Sequence, residues 1–216
     1  MTTKDRRVRE LQETRERILD AARDMFATDG FDAVTMRAIA DRIEYTPTAI
    51  YHHFKNKNAL LTEICERDFE TLARHFNSSV ATSDPVHRIL AVGEAYLHFA
   101  EKYPSQYRFM FMTVFPEPGF DESYVAERKG NPEKDAYAFL REACREAIAS
   151  GQLLPAIDDA DQLAQILWGS VHGMISLRVV KGHEAWIPWR ELRASALRGM
   201  RIMLRGVLRD PSRVEL

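Results

Sequence analysis

The sequence predicts an all-α fold of about nine helices, and three observations predict it. Apolar residues recur at spacings of three and four along most of the chain, no alternating β-branched run reads as strand, and Pro and Gly fall between the periodic stretches. With 216 residues and 45% hydrophobic content, the chain has enough apolar material for a sizeable core in one large or two modest domains.

Taken in order, residues 1–13 read as a flexible basic arm. Within the first seventeen positions Lys4, Arg6, Arg7, Arg9, Arg15 and Arg17 outnumber Asp5, Glu10, Glu13 and Glu16, and few apolar residues lie among them. A first helix over about 14–28 gathers Ile18, Ala21, Ala22, Met25 and Phe26 on one face, and Asp29-Gly30 is its stop signal. Thr35 is placed to cap a short helix to about Ile43 that carries Met36, Ile39, Ala40 and Ile43 at helical spacing. After a very short turn, Thr46 can cap a third helix with Pro47 at its first position, ending near His53. Asn56 caps a fourth, over about 57–76.

The polar stretch 78–85 then separates residues 14–76, a three-helix domain of homeodomain type, from a second domain over 77–216. Its helices are expected near 85–102, 104–113, 133–150, 159–180 and 188–208. Pro104, Pro116, Pro118, Gly119, Gly130, Pro132, Gly151, Pro155, Gly182 and Pro188 punctuate them.

Charge and cysteine content exclude more than they assign. A net charge of -2 gives no global argument for nucleic acid, and the split is mild: eleven basic against ten acidic residues in 1–60, nineteen against twenty-two thereafter. Cys65 and Cys144 lie far apart with no His or Cys at ligand spacing, so buried thiols are expected rather than a disulfide or a zinc site. His172 has no carboxylate or His three or four residues away, and His52 and His53 point to different faces, so neither metal nor cofactor is expected. The most apolar window, Leu163 to Val180, is interrupted by Gln165, Ser170, His172, Ser176 and Arg178, which reads as a cytoplasmic protein with no membrane partner. No Gly-x-Ser-x-Gly, phosphate-cradling glycine loop or His-Glu-x-x-His occurs, so no enzyme is expected.

Two helices of about two turns joined by three or four residues, over 35–54, have the dimensions of a helix-turn-helix. The outer face of the second offers Tyr45, Thr46, Thr48, Ala49 and His52, whose methyls, hydroxyls and rings suit base edges and thymine methyls. Ile50 and Phe54 face inward. Tyr51 is expected with its ring packed and its hydroxyl outward.

The run from Thr14 to Leu61 resembles the DNA-binding domain of the tetracycline-repressor (TetR) family. Ile18, Ala21-Ala22, Phe26, Gly30-Phe31, Thr35, Ile39-Ala40, Ile50 to Phe54, Lys57 and Leu60 carry the likeness. The resemblance implies that Thr35, Tyr51 and Lys57 contact phosphate. It also implies that the arm and Arg37 add backbone or base contacts, and that the start of the third helix, with Pro47, reads bases. Helix N-termini favour an anionic oxygen at Thr35 and Lys57. One position departs: the turn glycine of this family is Glu44 here. A left-handed Glu costs about 1–2 kcal/mol, so the turn either accepts that strain or takes another geometry.

The second domain is dense in aromatics. Trp168-Gly169-Ser170-Val171-His172-Gly173-Met174 resembles the Trp-His-Gly signature of one C-terminal class of the same family, and Tyr96 to Ala100 and Tyr107 to Met112 fit that class. The residues expected to line an effector pocket are Tyr96, Phe99, Tyr103, Tyr107, Phe111, Trp168 and His172. His172 reads equally as a polar anchor for the effector and as a buried histidine satisfied by a neighbour.

Apolar stripes on the helices near 159–180 (Leu163, Ile166, Leu167, Val171, Met174, Leu177) and 188–208 (Leu192, Leu197, Met200, Leu204, Val207) exceed what one chain can bury. The resemblance implies that these helices pair in a homodimer. The expected function is a repressor on a palindromic double-stranded DNA operator, released by a small apolar or aromatic effector, with the fourth helix as the link between the two sites. The alternative is a helical small-molecule-binding protein without sequence-specific DNA binding.

Overall fold

The computed structural model describes residues 3–79, 82–115 and 129–216. Pro116, Pro118, Gly119, Phe120 and Tyr124, together with Val80 and Ala81, lie outside the described residues. Among the described residues nine α-helices occur: α1 Thr3–Asp29, α2 Met36–Arg42, α3 Pro47–His53, α4 Lys57–Ser79, α5 Pro85–Lys102, α6 Pro104–Met112, α7 Ala136–Ala149, α8 Ala160–Lys181 and α9 Leu192–Val207. A 3-10 turn, Pro211–Arg213, follows them, and one isolated antiparallel bridge joins Leu153 to Leu208.

The chain forms two compact units. The first takes the described residues up to Asp68 and those from Tyr103 to Phe115; the second takes Phe69–Lys102 and the described residues from Lys129 onward. The chain therefore passes between units inside α4, after Asp68, and again at Lys102-Tyr103, so α4 is not the sole connection.

In the first unit α1 begins at Thr3, where a flexible arm was expected. Arg6–Glu10 at 2.7 Å and Arg9–Glu13 at 3.7 Å pair at i,i+4, the arrangement that supports an otherwise unpartnered helix. Gly30, at φ +83, ends α1 with its amide on the Phe26 carbonyl at 3.2 Å. Ile18, Leu19, Ala22 and Phe26 of α1 are fully buried, as are Ile39, Ala40, Ile50 and Leu60, and Phe26 stacks on Phe109 of α6 with ring centroids 6.3 Å apart.

One charged pair crosses this core. Arg23 Nε and Nη2 donate to Asp68 at 2.7 and 2.9 Å, Arg23 Nη1 donates to Asp20 at 2.6 Å, and Gln106 Nε2 donates to Asp68 at 3.1 Å. Burial pushes the Asp68 carboxyl up, while the Arg23 fork and Gln106 oppose it. Burial would lower Arg23, but Asp68 and Asp20 overcome that and hold it protonated. The two tendencies oppose each other at Asp68. The bidentate geometry favours the ionised pair, since a protonated carboxyl loses one of the two acceptors.

In the second unit α5 packs against α7, α8 and α9, and α8 packs against α7 and α9. Asp135 caps α7 with bonds of 2.9 and 3.1 Å from the Tyr137 and Ala138 amides, and Asp159 caps α8 likewise at 2.9 and 3.0 Å. Glu191 caps α9, which therefore starts at Leu192 and leaves Trp186, Pro188 and Trp189 in the preceding loop. Gly93 is where α5 meets Met200 of α9: a Cβ there would stand 1.9 Å from the Met200 Cε. Cys144 is fully buried in this unit, which pushes its thiol up to about 12. Cys65, buried in the first unit, is raised as well. Both are free, and neither has thiolate character to react.

Candidate functional site

The two short helices of the first unit stand because their caps are local. Thr35 Oγ1 accepts from the Ala38 amide at 3.1 Å and Thr46 Oγ1 accepts from the Ala49 amide at 3.3 Å, satisfying orphan donors at the start of α2 and α3. Between them Glu44 takes φ +62, the only described non-glycine residue with positive φ. The Tyr45 amide donates to Ala40 O at 2.9 Å and the Glu44 amide to Asp41 O at 3.3 Å, the paired bonds of a Schellman ending. Of the two possibilities for this turn, the strained left-handed one holds.

Met36, Ile39, Ala40, Ile50 and Phe54 are buried beneath this turn, whereas Thr35, Arg37, Thr46, Thr48, Tyr51 and His52 are exposed. Pro47 and Ala49 are half-buried at the rim. Arg37 Nε lies 4.0 Å from Asp41 Oδ2, both side chains being exposed. Phe54 packs inward as expected. Tyr51 is 55% exposed.

Three of the expected cations serve the protein itself. Arg15 donates to Glu63 from Nε at 3.0 Å and to His53 O at 2.9 Å, and its guanidinium lies 4.2 Å from the Phe54 ring centroid, so it fastens the end of α3 to α1 and α4. Arg17 donates to Ile43 O at 3.3 Å and lies over the Tyr45 ring at 5.3 Å, with Thr14 Oγ1 3.4 Å from the Tyr45 hydroxyl. Tyr45 is thus half-buried against α1 rather than fully outward. Lys57 Nζ donates to Phe31 O at 2.6 Å and Val34 O at 2.8 Å. Arg7 of α1 and Arg37 of α2 are exposed.

In the second unit Tyr96 of α5 and His172 of α8 share a hydrogen bond of 3.0 Å between the hydroxyl and Nδ1. Trp168 stands 6.1 Å from His172 by ring centroids and Tyr137 of α7 stands 6.3 Å from Trp168. The Tyr137 hydroxyl donates to Asp161 at 2.7 Å and accepts from Gln165 Nε2 at 3.2 Å. Burial holds His172 below the ordinary imidazole value of 6.5, so it is neutral and one ring nitrogen remains a donor and the other an acceptor.

This cluster unites three expected residues, Tyr96, Trp168 and His172, and adds three that sequence reasoning missed: Tyr137, Asp161 and Gln165. The spacing Asp161, Gln165, Trp168, His172 on one face of α8 is the signal that was available. Phe99 is fully buried and meets His75 edge-on at 6.0 Å. Tyr103, Tyr107 and Phe111 belong to the first unit, where Tyr107 and Phe111 lie 5.3 Å apart. Among the described residues no group of three or more His, Cys, Asp or Glu is placed to hold a metal ion.

Two helices also carry exposed apolar groups. On α8, Leu163, Leu167, Val171 and Ile175 are buried, but Ile166, Leu177 and Val180 are half or more exposed, and Ile202 of α9 is 53% exposed. By length and composition α8 could cross a membrane, the one described helix of which this is true.

Two family models match the chain. Residues 18–64 match bacterial regulatory proteins of the tetR family, and residues 89–207 match the tetracyclin repressor-like C-terminal domain. The HTH-type transcriptional regulator UidR of Escherichia coli (strain K12) is 29% identical over 199 residues, covering 92% of this chain and 95% of that protein. Among solved structures, the complex of SmeT with triclosan is similar with a TM-score of 0.66 at 24% identity, over 92% of this chain and 93% of that one. The ketosteroid transcriptional regulator KstR2 of Mycobacterium tuberculosis is similar with a TM-score of 0.61 at 20% identity, over 91% and 96%.

Proposed function

Because the chain belongs to the TetR family of regulatory proteins, we propose that it represses transcription from a two-fold symmetric operator and leaves that DNA on binding a small apolar or aromatic effector. It is a DNA-binding transcription regulator of the helix-turn-helix type and not an enzyme. The observation that carries the reading is the capped pair α2 and α3. Its inner side chains are buried and its outer ones, Arg37, Thr46, Thr48, Tyr51 and His52, are free to meet a major groove.

On this reading Thr35, Tyr51 and Lys57 meet phosphate, Arg37 meets phosphate or base, and Tyr45, Thr46, Pro47, Thr48, Ala49 and His52 lie at the base edges. The effector occupies the second unit beside Tyr96, Trp168 and His172, where flat rings and a neutral imidazole suit an aromatic molecule with one polar group. Triclosan bound to SmeT is a ligand of that description. Phe99, of the same unit, completes the proposed lining. Two protomers associate through α8 and α9 in the cytoplasm, which places two recognition helices about 34–36 Å apart on the duplex. The effector releases DNA in proportion to its preference for the state that binds DNA poorly.

A gel shift of the purified protein on its own upstream DNA tests this at several salt concentrations. Selective, salt-sensitive retardation is expected, and binding indifferent to sequence would leave the runner-up, a helical small-molecule binder. Native mass spectrometry of the same preparation, with added phenolic compounds, tests the second unit.

A further inference from the structure

One guanidinium ties the end of α3 to both long helices of the first unit. Arg15 of α1 donates from Nη1 to His53 O at 2.9 Å and from Nε to Glu63 Oε1 at 3.0 Å, with Nη2 on Glu63 Oε2, and it lies over the Phe54 ring. His53 O is among the last carbonyls of α3, which have no partner inside the helix. Within the seven residues of α3 only Ile50 is buried, and Phe54 is buried just beyond them. A helix so short, with one core side chain, takes its direction from what grips its ends.

Glu63 of α4 does more than pair with Arg15. It accepts from Arg67 Nη2 at 2.8 Å, and Arg67 Nη1 reaches back to Glu16 of α1. The helices α1 and α4 are therefore joined twice, through Arg15–Glu63 and through Arg67–Glu16, and of the two links only Arg15–Glu63 continues to α3.

From this geometry we infer that Glu63 is a positioning residue for the DNA face: it holds the Arg15 fork in the orientation that puts Nη1 on His53 O and the guanidinium over Phe54, so the end of α3 follows α4. A two-point carboxylate pairing fixes the plane of a guanidinium as well as its distance. Without it the fork turns on its long stem, and the His53 carbonyl and the Phe54 ring lose their grip together. Thr48, Tyr51 and His52, on the outer side of α3, then shift as one. Charge alone predicts the reverse for Glu63, because a carboxylate in a DNA-binding unit repels phosphate and its loss would tighten binding.

The inference rests on the DNA face proposed above, and the test separates the two. Full-length wild type, E63Q and E16Q are titrated with the upstream DNA at one fixed salt concentration, with thermal melting to show that each is folded. Both variants lose one negative charge and weaken one α1–α4 link; a glutamine at 63 keeps the shape but can accept only one of the two Arg15 bonds. E63Q is expected to bind on the order of tenfold more weakly, and E16Q at least as tightly as wild type. Amide exchange without DNA reads the same grip: Tyr51 to Phe54 are expected to quicken in E63Q and not in E16Q.

Wild-type or tighter DNA binding by E63Q overturns the inference, as does equal weakening in E16Q, and so does unchanged exchange at the end of α3 in E63Q. Should E63Q not fold, E63D decides, because it keeps the charge and draws the carboxylate back by one methylene: weaker binding supports the inference and wild-type affinity overturns it. Failure of the wild type to bind DNA selectively counts against the proposed face, while the exchange comparison still decides the role of Glu63.

Discussion

The Tyr45 amide donates to the Ala40 carbonyl at 2.9 Å, and that bond closes the turn in which Glu44 is held at φ +62. The Cβ of Glu44 meets its own backbone in that conformation. Gly in its place removes the clash but gives the unfolded chain more freedom, which offsets part of the gain. Glu44→Gly is therefore expected to stabilise the protein by about 1 kcal/mol, and Glu44→Ala to leave it within about 0.5 kcal/mol, in urea titrations. Destabilisation by glycine would show that the carboxylate itself holds the turn.

Arg23 and Asp68 make the second prediction. Asp68 has no exposed surface and accepts from Arg23 and Gln106, so removing it leaves a guanidinium inside the first unit. Asp68→Ala is expected to cost about 3–5 kcal/mol, and the pair Arg23→Met with Asp68→Leu to recover most of it, because two matched apolar groups need no counter-charge. A single mutant as stable as wild type, measured by thermal melting, contradicts this.

The third concerns acid. Burial depresses the His172 imidazole in the folded state, whereas unfolded it titrates near 6.5. Above 6.5 both states are neutral and the stability is full; as pH falls below it, the unfolded chain takes up a proton that the folded one refuses, and stability is lost down to the depressed folded value. His53 and His75 are depressed in the same sense, so the quantity to measure is the difference between wild type and His172→Gln. The variant is expected to have the shallower decline between pH 6.5 and the folded pKa. Tyr96→Phe removes the partner at 3.0 Å and is expected to cost about 1 kcal/mol at neutral pH.

How far these features were readable depends on how local their causes are. The bounds of α2 and α3 followed from Thr35, Thr46 and Pro47, because a cap acts within three residues. The extension of α1 to Thr3 was hidden because its acid-base pairs look the same in a solvated arm. Arg23 and Asp68 are 45 positions apart, and neither has a neighbour that announces burial. Lys57 was visible only as a charge at a helix start, since nothing in the order of residues says that the Phe31 and Val34 carbonyls turn toward it. In the second unit the helical spacing on α8 marked Trp168 and His172, but Tyr137 joins them from another helix.

The exposed face of α8 carries the last prediction. Ile166, Gly169, Gly173, Leu177 and Val180 follow one another at spacings of three and four, so they form one stripe, distinct from the buried one of Leu163, Leu167, Val171 and Ile175. A Cβ at Gly169 or Gly173 would meet nothing within 4 Å, which leaves the backbone open to close approach by another helix. Ile166→Glu and Leu177→Glu alter side chains that are 50% and 56% exposed in the protomer, so its own fold should hold while a charge is buried in any α8 pairing. Each is expected to sediment as a monomer with unchanged helical content. Binding to a two-fold operator should then fall by about 10²–10⁴-fold, since the second recognition helix no longer arrives at the effective concentration its partner provides. A variant that stays dimeric and binds like wild type would move the interface off this stripe.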